Sequence, residues 1–452
     1  MKALNENFIS RMKLLLKDEY NSFETAINAE PVRAFRVNTA KISLEEFEKI
    51  NPFGSEKIPY VENGYYLNYD KVGNHPFHHA GMIYVQEPAA MAPAECIGIS
   101  PDWKILDMCA APGGKSSQLK NKLGDNGVLV SNEIVMNRCK VLTGNIERLG
   151  LKNCITTCMD TSRLADLLLN TFDLVMVDAP CSGEGMFRKD DTAISEWSLE
   201  NVYMCASRQL TILENAAKCL KNGGHIIYAT CTFSLEENEM VIDKFLRNHP
   251  EFELIPVNEK VRRNTSDGIK FDGCESDNIS MCRRFYPHKN RGEGQFMAVL
   301  KNKLTDNEYT PIAKGNYKLE RNVEEFLNNV LEKYDKESFY IKDGKVFNFS
   351  GDINIDKLKA FSVGVTVGEI KKNYILPHHQ FFSAFGSEFK NKIELKVDSE
   401  KLIKYLHGEE FETDAADGWA AVMVCGCALG GVKVSNGVAK NHYPKGLRIF
   451  KY

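Results

Sequence analysis

The chain has 452 residues, 43% of them apolar and 26% charged, with a formal net charge of −4. That length predicts two to four domains around a large core, and the composition is that of a globular protein in water. No apolar run reaches membrane-span length, residues 1–22 lack a signal-peptide cleavage site, and thirteen scattered cysteines suit a reducing cytoplasm better than a disulfide frame.

Residues 5–16 place Phe8, Met12 and Leu15 on one helical face, with Asn5 as a cap. A strand is predicted at 34–38 and a capped helix at 43–50, before Pro52, so a small α+β unit precedes the rest. His75, His78 and His79 have no cysteine or acid at ligand spacing, so they read as a loop and no metal site is expected. A strand at 82–85 follows, and Glu87-Pro88 is expected to open a helix through Cys96.

The stretch 105–119, ILDMCAAPGGKSSQL, reads as strand, small-residue turn and helix start. Such a unit opens a nucleotide-type pocket in an open α/β sheet. A P-loop is excluded because Cys109 stands where its first glycine belongs, and the adjacent Gly113 and Gly114 do not fit a dinucleotide fingerprint. Further strands are predicted at 128–132, 155–158, 174–177 and 225–230, with helices at 116–122, 137–149 and 198–220. A last strand at 295–300 is expected at an antiparallel edge. Two strands end in reactive residues, Asp178-Ala179-Pro180-Cys181 and Thr230-Cys231-Thr232, which a doubly wound sheet would bring to the same edge. Glu133 closes the second strand, twenty positions beyond Gly113, where an acid bonds ribose hydroxyls. Asp160, just past the third strand, is placed for an adenine amino group, and Arg138 lies near the same ligand or on the helix surface.

Residues 251–294 read as a long, polar, irregular segment carrying Arg283, Arg284, His288, Lys289 and Arg291, a candidate flap over nucleic acid. A helix at 323–334 and a hairpin around Asp343-Gly344 follow, and 361–385 leads into the tail. Strands at 420–425, 431–434 and 447–450, separated by glycine turns, suggest a small β barrel. Residues 418–452 contain no acid but carry Lys433, Lys440, Lys445, Arg448 and Lys451, which favours phosphate contact. Cys425-Gly426-Cys427 fits strand alternation better than a redox or metal pair.

The phrases CAAPGGK, DAPCSGEGMFRK and ATCTFS, in this order, resemble the Nop/Sun family of RNA (cytosine-5) methyltransferases, on its bacterial RsmF-type branch. The phrase FRVNT at 35–39 is also similar to that family. The resemblance implies a Rossmann-like S-adenosylmethionine-dependent methyltransferase sheet, α/β in class, with a small α+β N-terminal extension and a C-terminal PUA-like β domain. It further implies a ferredoxin-like RNA-binding extension at 1–80, the catalytic domain at 81–303, a small linking α+β domain at 304–380 and the PUA-like domain at 381–452. S-adenosylmethionine would bind across Cys109, Ala110, Ala111, Pro112, Gly113, Gly114, Lys115, Glu133, Arg138, Asp160 and Asp178.

Cytosine carbon 5 is a poor nucleophile, so methylation there calls for thiolate addition at carbon 6, an acid at the N3 edge and a base for the carbon 5 proton. Cys231, Cys181 and Asp178 supply that set, and the target base must be unpaired or flipped out. Chemistry alone leaves open which cysteine attacks; related DNA enzymes use the Pro-Cys thiol, whereas the resemblance implies attack by Cys231 and release by Cys181. The expected substrate is ribosomal RNA in a small ribosomal subunit, the expected form a cytoplasmic monomer without membrane contact. Alternatives are tRNA as substrate, a non-catalytic RNA-binding ribosome assembly factor, or methylation of a protein or small molecule, which needs no covalent thiol.

Overall fold

The computed structural model describes residues 4–54, 56–305, 319–355, 358–372 and 374–449. Its centre is a ten-stranded sheet. In chain order its strands are β1 (Lys104–Asp107), β2 (Val128–Asn132), β3 (Cys154–Thr157), β4 (Phe172–Asp178), β5 (Leu220–Thr230), β6 (Phe252–Ile255), β7 (Ser266–Asp267), β8 (Arg283–Phe285), β9 (Gln295–Asn302) and β10 (Ala360–Val363). They lie in the order β7-β8-β9-β5-β4-β1-β2-β3-β10, with β6 pairing the far half of β9. Strands β1 to β5 are parallel, and the apolar cores of their sequences, such as Ile105-Leu106, 174–177 and 226–228, are buried as burial on both faces requires. Leu106 is level with Val130 on one side and Val175 on the other.

The strand order reverses between β1 and β4, and such a reversal opens a crevice at the carboxyl ends of the strands. Helices Gly114–Lys122, Met136–Arg148, Thr161–Leu167 and Leu199–Cys219 link the parallel strands. The last is capped by Ser198, whose Oγ accepts from Asn201 N at 3.1 Å. The predicted antiparallel strand is β9, register-paired from Phe296 opposite Thr230 to Lys301 opposite His225.

Several expectations need correction. Residues 88–96 form two 3₁₀ turns, Ala89–Met91 and Pro93–Glu95, because Pro93 has no N–H to continue an α-helix. The segment 251–294 is no irregular flap, for it holds β6, β7, β8 and the helix Glu259–Arg263. Alternation of buried Phe252 and Leu254 with exposed Glu253 made it a strand. Its basic cluster is spent internally: Arg283 pairs with Asp267, Arg284 with Glu239, His288 and Lys289 with Glu19, and Arg291 with Glu56.

At the front, Gly64–Tyr66, Ala34–Val37 and Ile83–Val85 make a three-stranded antiparallel sheet with the helix Leu44–Ile50. This is one strand short of a ferredoxin-like sheet among the described residues. The helices Glu6–Leu16 and Tyr20–Ile27 instead pack Phe8 and Phe23 against Phe187, Trp197 and Phe233 of the catalytic unit. His75 lies in no plain loop but caps the short helix Pro76–His79, accepting from Phe77 N at 3.2 Å. Burial drives the His78 and His79 rings down to about 3 and about 4, so both are neutral.

The C-terminal sheet has the order Lys392–Glu394, Gly418–Val424, Cys427–Ser435, Val438–Asn441 and Phe411–Glu412. Cys425-Gly426, expected to alternate within a strand, is instead the hairpin turn, both residues at positive φ, and the next strand starts at Cys427 and runs through Gly430 and Gly431. Those glycines sit inside a strand because Tyr405 Oη and the Phe382 ring occupy the space a Cβ would need. No strand spans 447–450: Lys445–Leu447 is a 3₁₀ turn, and Phe450 lies outside the described residues. No helix among the described residues is long and apolar enough to cross a membrane.

Candidate active site

Parallel pairing decides which side chains meet. Asp178 closes β4 level with Ala229 of β5, and Ala179 N donates to Ala229 O at 2.9 Å. The two chains then turn together, so that Cys181 Sγ and Cys231 Sγ lie 3.2 Å apart. Gly185 N donates to Cys231 O at 2.8 Å, and a side chain at Gly185 would collide with that carbonyl and with Gly294. The hydrogen bond from its neighbour and burial push the Cys181 thiol well up, so it stays protonated.

Opposite the thiols stands Lys115, in the first turn of the helix after β1. Its Nζ lies 2.8 Å from Asp178 Oδ2, and the ammonium, 8% exposed, also feels the Cys231 thiol. Burial would lower the lysine; Asp178 outweighs it and holds Lys115 charged. Asp107 closes β1, accepting from Ser116 Oγ at 2.6 Å through Oδ2 while its Oδ1 is buried without a partner. Burial pushes this carboxyl up to about 7.

The turn between β1 and its helix is small-residue backbone. Gly113 adopts φ +108°, which favours glycine, so Ala110, Ala111 and Pro112 can fold back below the helix start at Gly114. Arg138 Nη2 donates to Ala111 O at 2.9 Å and its Nη1 lies 3.1 Å from Glu133 Oε2, which locks the turn to the end of β2. Glu133 is almost fully buried and accepts from Val135 N at 3.0 Å. Cys109 is half-buried, and desolvation, with the Asp107 carboxylate nearby, pushes its thiol up. Asp160 sits at the exposed N-cap of Thr161–Leu167, where the Ser162 hydroxyl, and after it Ser162 N at 2.9 Å, donate to its carboxylate and hold it below the usual carboxylate range.

Arg36 went unnoticed in the sequence. Fully buried, it leaves the N-terminal sheet to donate to Gln86 Oε1 (2.9 Å), Gly114 O (2.7 Å) and Ser117 Oγ (2.9 Å). The N-terminal unit thus braces the start of the site helix. An arginine inside the apolar run AFRV was the available signal, since arginine is almost never fully buried without partners.

Three family models match in order along the chain. The N-terminal domain of 16S rRNA methyltransferase RsmF covers residues 4–88, 16S rRNA methyltransferase RsmB/F covers 96–301, and the methyltransferase RsmF PUA domain covers 391–449. The ribosomal RNA small subunit methyltransferase F of Shewanella piezotolerans is 30% identical over 482 aligned positions, which span 99% of this chain and 98% of that one. The chain belongs to the RsmF family. The Vibrio cholerae protein of the same description is 28% identical across 93% of this chain and 92% of its own. A methyltransferase homolog protein from Pyrococcus horikoshii superposes with a TM-score of 0.58 at 28% identity, covering 66% of this chain and 95% of its own. A second structure from that organism, NSun6 with SFG, has the same fold at a TM-score of 0.57 and 23% identity.

The RsmF family takes its methyl group from S-adenosylmethionine, and the residues of this crevice fit that molecule. The unsatisfied Asp107 Oδ1 suits a cationic amino group, the Glu133 carboxylate suits ribose hydroxyls, and the absence of a pyrophosphate cradle suits a ligand without pyrophosphate. Among the described residues no three His, Cys, Asp or Glu side chains are grouped to hold a metal ion.

Proposed function

We propose that this chain methylates carbon 5 of cytosine in small-subunit ribosomal RNA through a covalent bond from Cys231 to carbon 6. The observation that carries the reading is the pair of thiols 3.2 Å apart beside the Lys115–Asp178 pair, in a member of the RsmF family. N- and O-methylation require no thiol, still less two.

Bound S-adenosylmethionine supplies an electrophilic methyl group. Lys115 stabilises the Cys231 thiolate, which forms a bond to carbon 6 and leaves carbon 5 electron-rich. Asp178 would accept from the amino group and, in its protonated form, give N3 the proton that neutralises the charge developing on the ring. After methylation Cys231 is bound to carbon 6 and no longer hydrogen-bonds Cys181, which gives its own proton to water; as a thiolate Cys181 takes the carbon 5 proton, the carbon 6–sulfur bond breaks and Cys231 leaves as a thiolate. Cys109, Ala110, Ala111, Pro112, Gly113 and Gly114 shape the cofactor turn, with Glu133, Arg138 and Asp160 toward the adenosine end.

The enzyme acts as a cytoplasmic monomer on the small ribosomal subunit. Bisulfite sequencing of small-subunit RNA from a strain lacking the gene should show one or more cytosines newly converted, restored by the wild-type chain and not by Cys231→Ala. Restoration only in tRNA would reassign the substrate and leave the chemistry intact.

A further inference from the structure

We propose that Glu237, with its neighbour Asn238, is the positioning residue that sets the separation of the two cysteine loops. The inference rests on the two-thiol reading of the site. Neither side chain hydrogen-bonds to a sulfur; both hold the residues on either side of each cysteine.

Around Cys181 the contacts run to Glu237. Its carboxylate accepts from Ser182 N at 2.9 Å, from the Ser182 hydroxyl, and from Gln209 Nε2 at 2.9 Å. The same Gln209 amide donates to Pro180 O at 2.9 Å. Pro180 and Ser182, which flank Cys181, are therefore fixed to one carboxylate. Around Cys231 the contacts run to Asn238: Thr230 Oγ1 donates to Asn238 Oδ1 at 2.6 Å and Asn238 Nδ2 donates to Thr232 O at 3.0 Å. Ser182 Oγ and Thr232 Oγ1, 3.0 Å apart, join the two loops directly. Tyr228 Oη donates to the Glu237 carbonyl at 2.6 Å and so anchors the dipeptide on β5, the strand that delivers Cys231.

Glu237 and Asn238 are both fully buried, out of reach of solvent. Burial pushes the Glu237 carboxyl up to about 7 against the pull of the Ser182 and Gln209 donors. A costly buried acid held by three donors is well suited to precise placement, because every donor would be left unsatisfied if the loop shifted. Attack needs one sulfur, whereas release needs the second in register with it, and a misplacement of about 1 Å costs about 100-fold. Loss of Glu237 should therefore damage release more than attack.

The test uses the full-length protein with Glu237→Ala, Glu237→Gln and Asn238→Ala. Oxidised glutathione reads the spacing of the sulfurs without RNA: two thiols become one disulfide as one glutathione disulfide is reduced to two glutathiones. Peptide mapping should show the Cys181–Cys231 link forming at least about tenfold more slowly in Glu237→Ala. Incubated with labelled RNA and S-adenosylmethionine, that variant should also hold a larger share of its RNA in the covalent band than wild type. Glu237→Gln, which keeps an oxygen for Ser182, should recover part of both, and S-adenosylmethionine affinity should be unchanged throughout. If Glu237→Ala does not fold, Asn238→Ala and Glu237→Gln carry the same two readings. Folded variants with wild-type disulfide rates and wild-type covalent share would overturn the inference. Slowed disulfide formation with no covalent RNA in any variant, Cys181→Ala included, would uphold the positioning role and overturn the proposed reaction instead.

Discussion

Lys115 Nζ lies 2.8 Å from Asp178 Oδ2, and this pair joins the cofactor turn to the strand that carries Cys181. In the proposed reaction the pair ties two roles together, the cation serving the attacking sulfur and the acid serving the base edge. Lys115→Ala should lower kcat about 100-fold, the effect of losing one preorganised electrostatic group. The exchanged pair, Lys115→Asp with Asp178→Lys, should recover melting temperature without recovering methylation. Recovery of both would mean that the pair only holds the fold.

Asp107 gives a pH signature of cofactor binding. Burial raises its carboxyl from 3.8 to about 7, Asp178 adds to that, and Lys115 and the Ser116 hydroxyl oppose it. The neutral form is therefore present in the free protein below about 7, whereas a cationic ligand group favours the ionised form. Binding of S-adenosylmethionine should then release up to about one proton near pH 6 and almost none above pH 8. Calorimetry in buffers of different ionisation enthalpy measures this directly. The sign for folding is opposite to that of a salt-bridged acid: the stabilising contribution of neutral Asp107 is complete below about 4 and is lost as pH rises through about 7. Asp107→Asn should abolish the proton release.

The C-terminal unit presents cations where they repel each other. Lys433 and Lys440 are exposed and directly opposite across two strands, and Lys433 lies 5.6 Å from the Trp419 ring centre. Like charges in that position cost stability unless an anion bridges them. Deleting residues 418–452 is unsuitable as a test, because Ala420, Val422, Val432 and Val434 form the buried core of the sheet. The double change Lys433→Ala and Lys440→Ala should instead weaken RNA binding and flatten its salt dependence, by about 0.7 in slope for each phosphate left unneutralised on single-stranded RNA. An unchanged slope would place the RNA elsewhere.

Much of this molecule was legible in order along the chain, for a definite reason. Buried parallel strands must be apolar from end to end, so ILD, VLVSN and FDLVMVD declare themselves, and the residues that end them must share an edge. What was hidden depended on distant partners. Arg283 and Arg284 look like free charge until Asp267 and Glu239 arrive beside them from other strands and helices. Gly430 reads as part of a glycine turn before the strand until Tyr405, whose hydroxyl fills the space of its missing Cβ, is in place. Arg36 showed only as a charge inside an apolar run and Glu237 not at all, because their importance lies in partners 78 positions away, at Gly114, and 55 positions away, at Ser182.

The most direct test of the covalent mechanism is a denaturing gel of labelled RNA incubated with S-adenosylmethionine and each cysteine variant. Cys181→Ala should form the bond to carbon 6, transfer the methyl group and stall, giving a shifted RNA–protein band that survives detergent. Cys231→Ala should give none, because the first bond is never made. A shifted band in Cys231→Ala and not in Cys181→Ala would contradict the assignment of the attacking sulfur.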